Sequence, residues 1–278
     1  MNANMTLTMD GLIGMLDIAT HGSEAIERFT HYLEECGIRG EPLTMGNNPD
    51  ALKAIVPNLS GELGQRAAAA IKAAEKTSES QLVKFGQAKY LKPLLEEGKL
   101  RIQPASSFSD PKHNNAVGDD EVARTFKMAI NSEELLEIIT KHGLPREAAG
   151  QDSLEIKIEY FSDYWVTCFG AVPTPRMAVD FAADSMLAIY DLREFRRRTR
   201  NAFRKATDYH SMKDGPVKYF DPYFPNCDFR AIPLIKPFKY YYQNEYRFFW
   251  LPTKPTVKLE FIEIEMGSLA DISELITW

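Results

Sequence analysis

Residues 239 to 250 read KYYYQNEYRFFW: seven of the twelve side chains are aromatic, with Gln243, Glu245 and Arg247 among them at every second position. In an extended chain these three side chains share one face with Tyr241 and Phe249. A carboxylate set between an amide and a guanidinium, with rings beyond, could stabilise positive charge developing on a sugar ring. Glycosidic and N-glycosidic cleavage both require that. The same residue types also describe a structural Glu–Arg pair inside an aromatic sheet, and both readings stay open. Pro237 could instead start a short helix through Tyr242, leaving only Glu245 and Arg247 on one face of a strand EYRFFW.

Two other stretches carry chemistry. SSFSDP, residues 106 to 111, is a turn in which serines, Asp110 and Pro111 compete with the backbone for hydrogen bonds. It reads either as a simple turn or as a polar loop that places a substrate beside Phe108. After Asp191, the residues Arg193, Arg197, Arg200 and Arg204 fall at helical spacing on one face. Leu192, Phe195, Thr199, Ala202, Phe203 and Ala206 form a separate apolar stripe. Such a ridge suits a phosphate-bearing ligand through bidentate guanidinium contacts, or it is a solvated face balancing nearby acids.

Other chemistries lack support. Asp110, His113, Asp119, Asp120 and Glu121 cluster in sequence, but their spacing fits neither an EF-hand nor a zinc site, and no metal is expected. Five scattered histidines and no nucleophile-elbow motif count against Ser-His-Asp or Cys-His catalysis. Neither GxGxxG nor GxxxxGK occurs. A formal charge of −6 argues against broad, non-specific nucleic-acid binding but leaves room for a local basic site. Cys36, Cys168 and Cys227 show no CxxC spacing, which suggests a reducing, cytoplasmic setting. The first residues lack a basic region and carry Asp10 and Asp17, so neither a signal peptide nor a membrane span is expected.

The elements that must position these residues follow from pattern. Residues 1–78 read as a helical region: Ser23 and Asn48-Pro49 are start signals, Gly37 is a stop, and GELGQRAAAAIKAAEK is rich in helix formers. From residue 79 the pattern changes to α+β. QLVKF, LRIQPA, ARTFKMAI, LEIKIEYF, YWVTCFG, SMLAIY, PVKYF, EYRFFW and VKLEFIEIE are strand candidates. YLKPLLEEG closes as a helix on Gly98, Asn131 with Glu134 starts another, and a short helix is expected after VKLEFIEIE. Irregular alternation predicts a mixed, mainly antiparallel sheet with flanking helices rather than a doubly wound one.

The order of the motifs resembles a bacterial domain family marked by a "Y-K-Y"-like strand, then "F-N-D-P", "C-F-S" and a late "E-x-R". LVKF at 82–85, Phe108-Ser109-Asp110-Pro111, Cys168-Phe169-Gly170 and Glu245-Tyr246-Arg247 take those places, over about residues 80–265. Ser109 and Gly170 depart from the usual asparagine and serine, as in a divergent branch. The chain is also similar to ADP-ribosyltransferases, which have a split mixed sheet and a late "[QE]-x-E" matched by Gln243-Asn244-Glu245. That similarity implies an enzyme that cleaves NAD and transfers ADP-ribose to an acceptor, as toxins and defence effectors do. It assigns Glu245 as the catalytic carboxylate and Gln243 as its companion, with Lys84, Ser107, Phe108, Asp110 and Arg247 around NAD. The alternative is a non-catalytic module that recognises a phosphate-bearing partner, nucleic acid included, through the arginine ridge. In a third reading ridge and aromatic strand are both structural, and the function lies in contact with another protein.

Overall fold

The computed structural model describes residues 66, 69–70, 72–74, 76–77, 79–109, 120–129, 153–220 and 229–278. The expected helices at Ser23, Asn48 and Asn131, together with Asp110, His113, Asp119, Cys36 and Cys227, lie outside them. The fold is α+β, with an eight-stranded, mainly antiparallel sheet. Its strands are β1 (Leu82–Gly86), β2 (Lys99–Pro104), β5 (Trp165–Gly170), β6 (Ser185–Ile189), β7 (Ser211–Pro216), β10 (Glu245–Leu251), β11 (Ile262–Glu265) and β12 (Ser273–Thr277). Two small pairs stand apart: the hairpin of β3 (Ala123–Ala129) with β4 (Ser153–Glu159), and the parallel pair of β8 (Lys218–Phe220) with β9 (Ile235–Pro237).

Strand alternation sorts the core into two layers. Leu82, Phe169, Leu187, Phe248 and Trp250 face helices α1 (Ala88–Glu96) and α3 (Leu192–Ala206), packing with Leu91, Leu94, Phe195 and Phe203. Helix α1 ends at Gly98, whose φ of +69° suits glycine; an added Cβ would stand 2.3 Å from the Gly267 carbonyl oxygen. Helix α3 forms where its stripe predicts: Phe195, Thr199, Ala202 and Phe203 are buried, and Asp191 caps it by accepting from the Glu194 N–H at 2.8 Å. On the opposite face Val83, Phe85 and Met186 pack against helix α2 (Pro175–Asp180), Tyr242 and the helical Ala70 and Ala73.

The end of the chain corrects the sequence reading. Residues 273–277 form strand β12, antiparallel to β6, where a short helix was expected. Fully buried β6 offers a backbone edge there, and the ladder along it outweighs the helical pattern of five residues.

The sheet forks at β5. One side of β5 pairs continuously with β10, from Trp165–Trp250 to Gly170–Glu245. The other side pairs with β2 only at Trp165 and Val166, and with β1 only at Gly170. Between these points Thr167, Cys168 and Phe169 lack a strand neighbour on that side, because α1 carries the chain away between β1 and β2.

Candidate functional site

A cleft of about 220 Å³ opens at the fork. Lys84 of β1, Arg101 and Gln103 of β2, Cys168 of β5, Phe108, Gln243 and Glu245 all line it. Four of the residues singled out in the sequence, Lys84, Phe108, Gln243 and Glu245, therefore meet in one place.

Lys84 donates to the Cys168 carbonyl oxygen at 2.9 Å and lies over the Phe169 ring at 4.7 Å. That carbonyl is the group β5 leaves unpaired at the fork, so the ammonium stands in for a missing strand. Burial lowers the Lys84 pKa, against the raising effect of Cys168 and Glu245. The Cys168 thiol is pushed up to about 12, mainly by burial and next by the Glu245 charge. It is neutral at any physiological pH.

Residues 238–243 form a 3-10 helix after Pro237, and β10 starts at Glu245. Between them Asn244 adopts a left-handed conformation, φ 41° and ψ 50°, which asparagine tolerates better than most residues. This turn brings the side-chain oxygens of Gln243 and Glu245 to one cation. Lys236 donates to Gln243 Oε1 at 3.0 Å and to Glu245 Oε1 at 2.6 Å, with its ammonium 4.3 Å from the Tyr240 ring centre. The second Glu245 oxygen accepts from Arg247 Nε at 2.7 Å. Tyr219 accepts from the Glu245 N–H at 2.8 Å, tying the start of β10 to β8.

Behind Glu245 the ion cluster continues. Arg247 grips Glu121 with two bonds of 2.7 Å each, and Glu121 also accepts from Arg124 at 2.7 Å. Arg124 in turn donates to the Ile235 carbonyl oxygen, which joins the β3–β4 hairpin to β9. Burial works against both carboxylates, but the cations win: Arg247, Arg124 and Lys236 hold Glu121 far below the usual range. Arg247 and Lys236 also lower the pKa of Glu245. Arg247 remains protonated because Glu121 and Glu245 flank it, although its burial disfavours charge.

Other expected site residues lie elsewhere. Arg247 is 0% exposed and stands behind Glu245, so it positions the carboxylate rather than meeting a ligand. Ser107 lines a second cleft of about 600 Å³, and its hydroxyl donates to the Pro104 carbonyl oxygen. Of the ridge, Arg193, Arg197, Arg200 and Arg204 are all exposed, but on α3, across the sheet from the fork. Arg197 is taken by Glu194 at 2.6 Å. Among the described residues no group of His, Cys, Asp and Glu could hold a metal ion, and no helix is long and apolar enough to cross a membrane.

Sequence reasoning missed Lys236 and Arg124, and weighed Glu121 only as a metal ligand. The available signals were faint: a lone lysine in the apolar run IPLIKPF, and a Glu–Arg pair three residues apart entering a strand. No protein-family model, curated protein or solved structure matches the chain.

Proposed function

We propose that the fork cleft binds NAD and cleaves its nicotinamide–ribose bond, passing ADP-ribose to an acceptor in the manner of an ADP-ribosyltransferase. One observation carries this reading. The split in the sheet gathers Lys84, Phe108, Gln243 and Glu245, from three distant segments, around one cavity. Its volume of about 220 Å³ is below the ~300–1,000 Å³ of pockets that enclose a whole drug-sized ligand, so it suits one end of a longer molecule.

The chemistry assigned to the chain is electrostatic. As the N-glycosidic bond breaks, its electron pair leaves with nicotinamide and the ribose gains positive charge. The acceptor's nucleophile then closes on the same carbon and releases its proton. A carboxylate offers about four lone-pair sites. Lys236 and Arg247 occupy one on each oxygen of Glu245, leaving room for a ribose hydroxyl. Phe108 supplies a ring face for the nicotinamide. Gln243, its amide oxygen tied to Lys236, turns its nitrogen toward the Tyr242 hydroxyl at 3.2 Å and cannot rotate freely.

The test is nicotinamide release from NAD by the purified chain, with Glu245→Gln beside it. Wild-type release, reduced about 10²–10³-fold in variant protein that circular dichroism shows to be folded at the assay temperature, supports the reading. Absence of release from wild type, with acceptor proteins or nucleic acids supplied, overturns it.

A second reading rests on α3. Arg193, Arg200 and Arg204 make no ion pair among the described residues, whereas Arg196 is bound to Asp214 and Arg198 to Glu194 and Asp271. On this reading the chain is a phosphate-recognising module. Charge reversal at Arg200 and Arg204 then abolishes salt-sensitive binding while Glu245→Gln preserves it.

A further inference from the structure

The fork cleft does not end at Phe108. Gln103 and Phe108 are shared with the second cleft, which continues along the serine turn to Lys258, Glu260 and Phe261. Between the two cavities Arg101, from the first, lies over the ring of Phe261, from the second, at 3.8 Å. A guanidinium stacked flat on a ring keeps its in-plane N–H donors free for a bidentate anion. Arg101 is exposed and has no carboxylate partner among the described residues. Within the second cleft Lys258 and Glu260 carry opposite charges, and at the junction Arg101 stands across the β2–β11 ladder from Glu263 without an ion pair among the described residues.

The second cleft is built rather than incidental. Asp163, 2% exposed, holds both of its walls. On the turn side its carboxylate accepts from the Ser106 N–H at 3.0 Å and the Ser106 hydroxyl at 2.7 Å. On the other side it accepts from the Leu259 N–H at 3.0 Å, and the Asp163 N–H donates to the Thr256 carbonyl oxygen at 2.7 Å. One buried carboxylate thus fixes the width of the opening opposite Arg101.

We infer that the two clefts form one bipartite site for a ligand with two ring-bearing ends joined by a diphosphate, and that Arg101 meets the diphosphate. The larger cleft takes the second nucleoside. This rests on the NAD reading for the identity of the first end.

Calorimetric titration tests it with NAD, nicotinamide riboside and adenosine, on wild type, Arg101→Ala and Phe261→Ala. NAD is expected to bind at least roughly tenfold more tightly than either nucleoside. Arg101→Ala should remove about ten- to a hundredfold of NAD affinity, the worth of charge-assisted hydrogen bonds, and leave both nucleosides unchanged. Phe261→Ala should weaken NAD and adenosine but not nicotinamide riboside. NAD binding no tighter than nicotinamide riboside, or unaffected by Arg101→Ala, overturns the bipartite site. Nicotinamide release alongside that result would leave NAD cleavage standing. Arg101-dependent NAD binding without any release would leave the bipartite site standing and remove the enzymatic reading.

Discussion

Lys236 Nζ lies 2.6 Å from Glu245 Oε1, and both residues are almost wholly buried. The pair connects β9 to β10, and the same nitrogen reaches Gln243. Glu245 is thus held at the cleft by groups on two strands.

Breaking this contact should destabilise the chain whatever Glu245 does. Removing one partner of a buried ion pair costs about 3–5 kcal/mol, because the other is left desolvated. Lys236→Met and Glu245→Gln should each show a loss of that order in urea denaturation, and the double variant should lose less than their sum. Strict additivity would mean that the two side chains do not interact.

Acid should act through the same cluster. Glu121 and Glu245 both have pKa values lowered in the folded chain. Their stabilisation is therefore complete above the unfolded carboxylate value of about 4.3, and is lost as pH falls from there through the folded values. Urea midpoints should drop steeply below about pH 4, and Glu121→Gln should flatten that slope. Equal slopes in the two proteins would count against the pairing.

Cys168 should resist alkylation in the native state. With its thiol pushed up to about 12, little thiolate forms at pH 8. The ordinary value of about 8.5 implies that native modification is roughly a thousandfold slower than in urea. Peptide mass mapping after iodoacetamide treatment checks this at Cys168 itself. Rapid native labelling would show the fork to be wet and open.

The α3 arginines should divide into two groups. Arg200→Glu with Arg204→Glu should shift stability by no more than about 0.5 kcal/mol, as is usual for exposed positions. Arg198→Ala should cost more, since Arg198 bonds Glu194, Asp271 and the Ser268 carbonyl oxygen just before β12. Melting temperatures of the two variants give the comparison. A larger loss from the Arg200/Arg204 pair would reveal structural work at those positions.

How much could be read in the sequence depended on the range of the interaction. Helix α3 was legible because its apolar stripe lies within one short segment. The apolar runs QLVKF, YWVTCFG and EYRFFW gave β1, β5 and β10. Of the two readings left open after Pro237 the structure takes the short helix, which removes Tyr241 and Gln243 from an extended face with Glu245. Strand β12 was not legible, since a five-residue edge strand is determined by the neighbour it pairs with. Lys236, Glu121 and Asp163 escaped for a related reason. The partners of Glu121 and Asp163 lie up to 126 residues away. The bonds of Lys236 to Gln243 and Glu245, seven and nine residues on, depend on the turn at Asn244 rather than on a regular period.

Lys84 has a consequence beyond ligand binding. By parting β1 from β2, the fork leaves a short unpaired strand edge inside the sheet rather than at its rim, with the Cys168 carbonyl oxygen turned to Lys84 in the gap. Such edges are templates for a foreign strand, and a lysine is a common guard against that. Here the ammonium occupies the acceptor an incoming strand would use. A chain carrying valine at this position would present an unguarded apolar slot. Self-association by strand insertion would then compete with any small ligand for the same few backbone atoms.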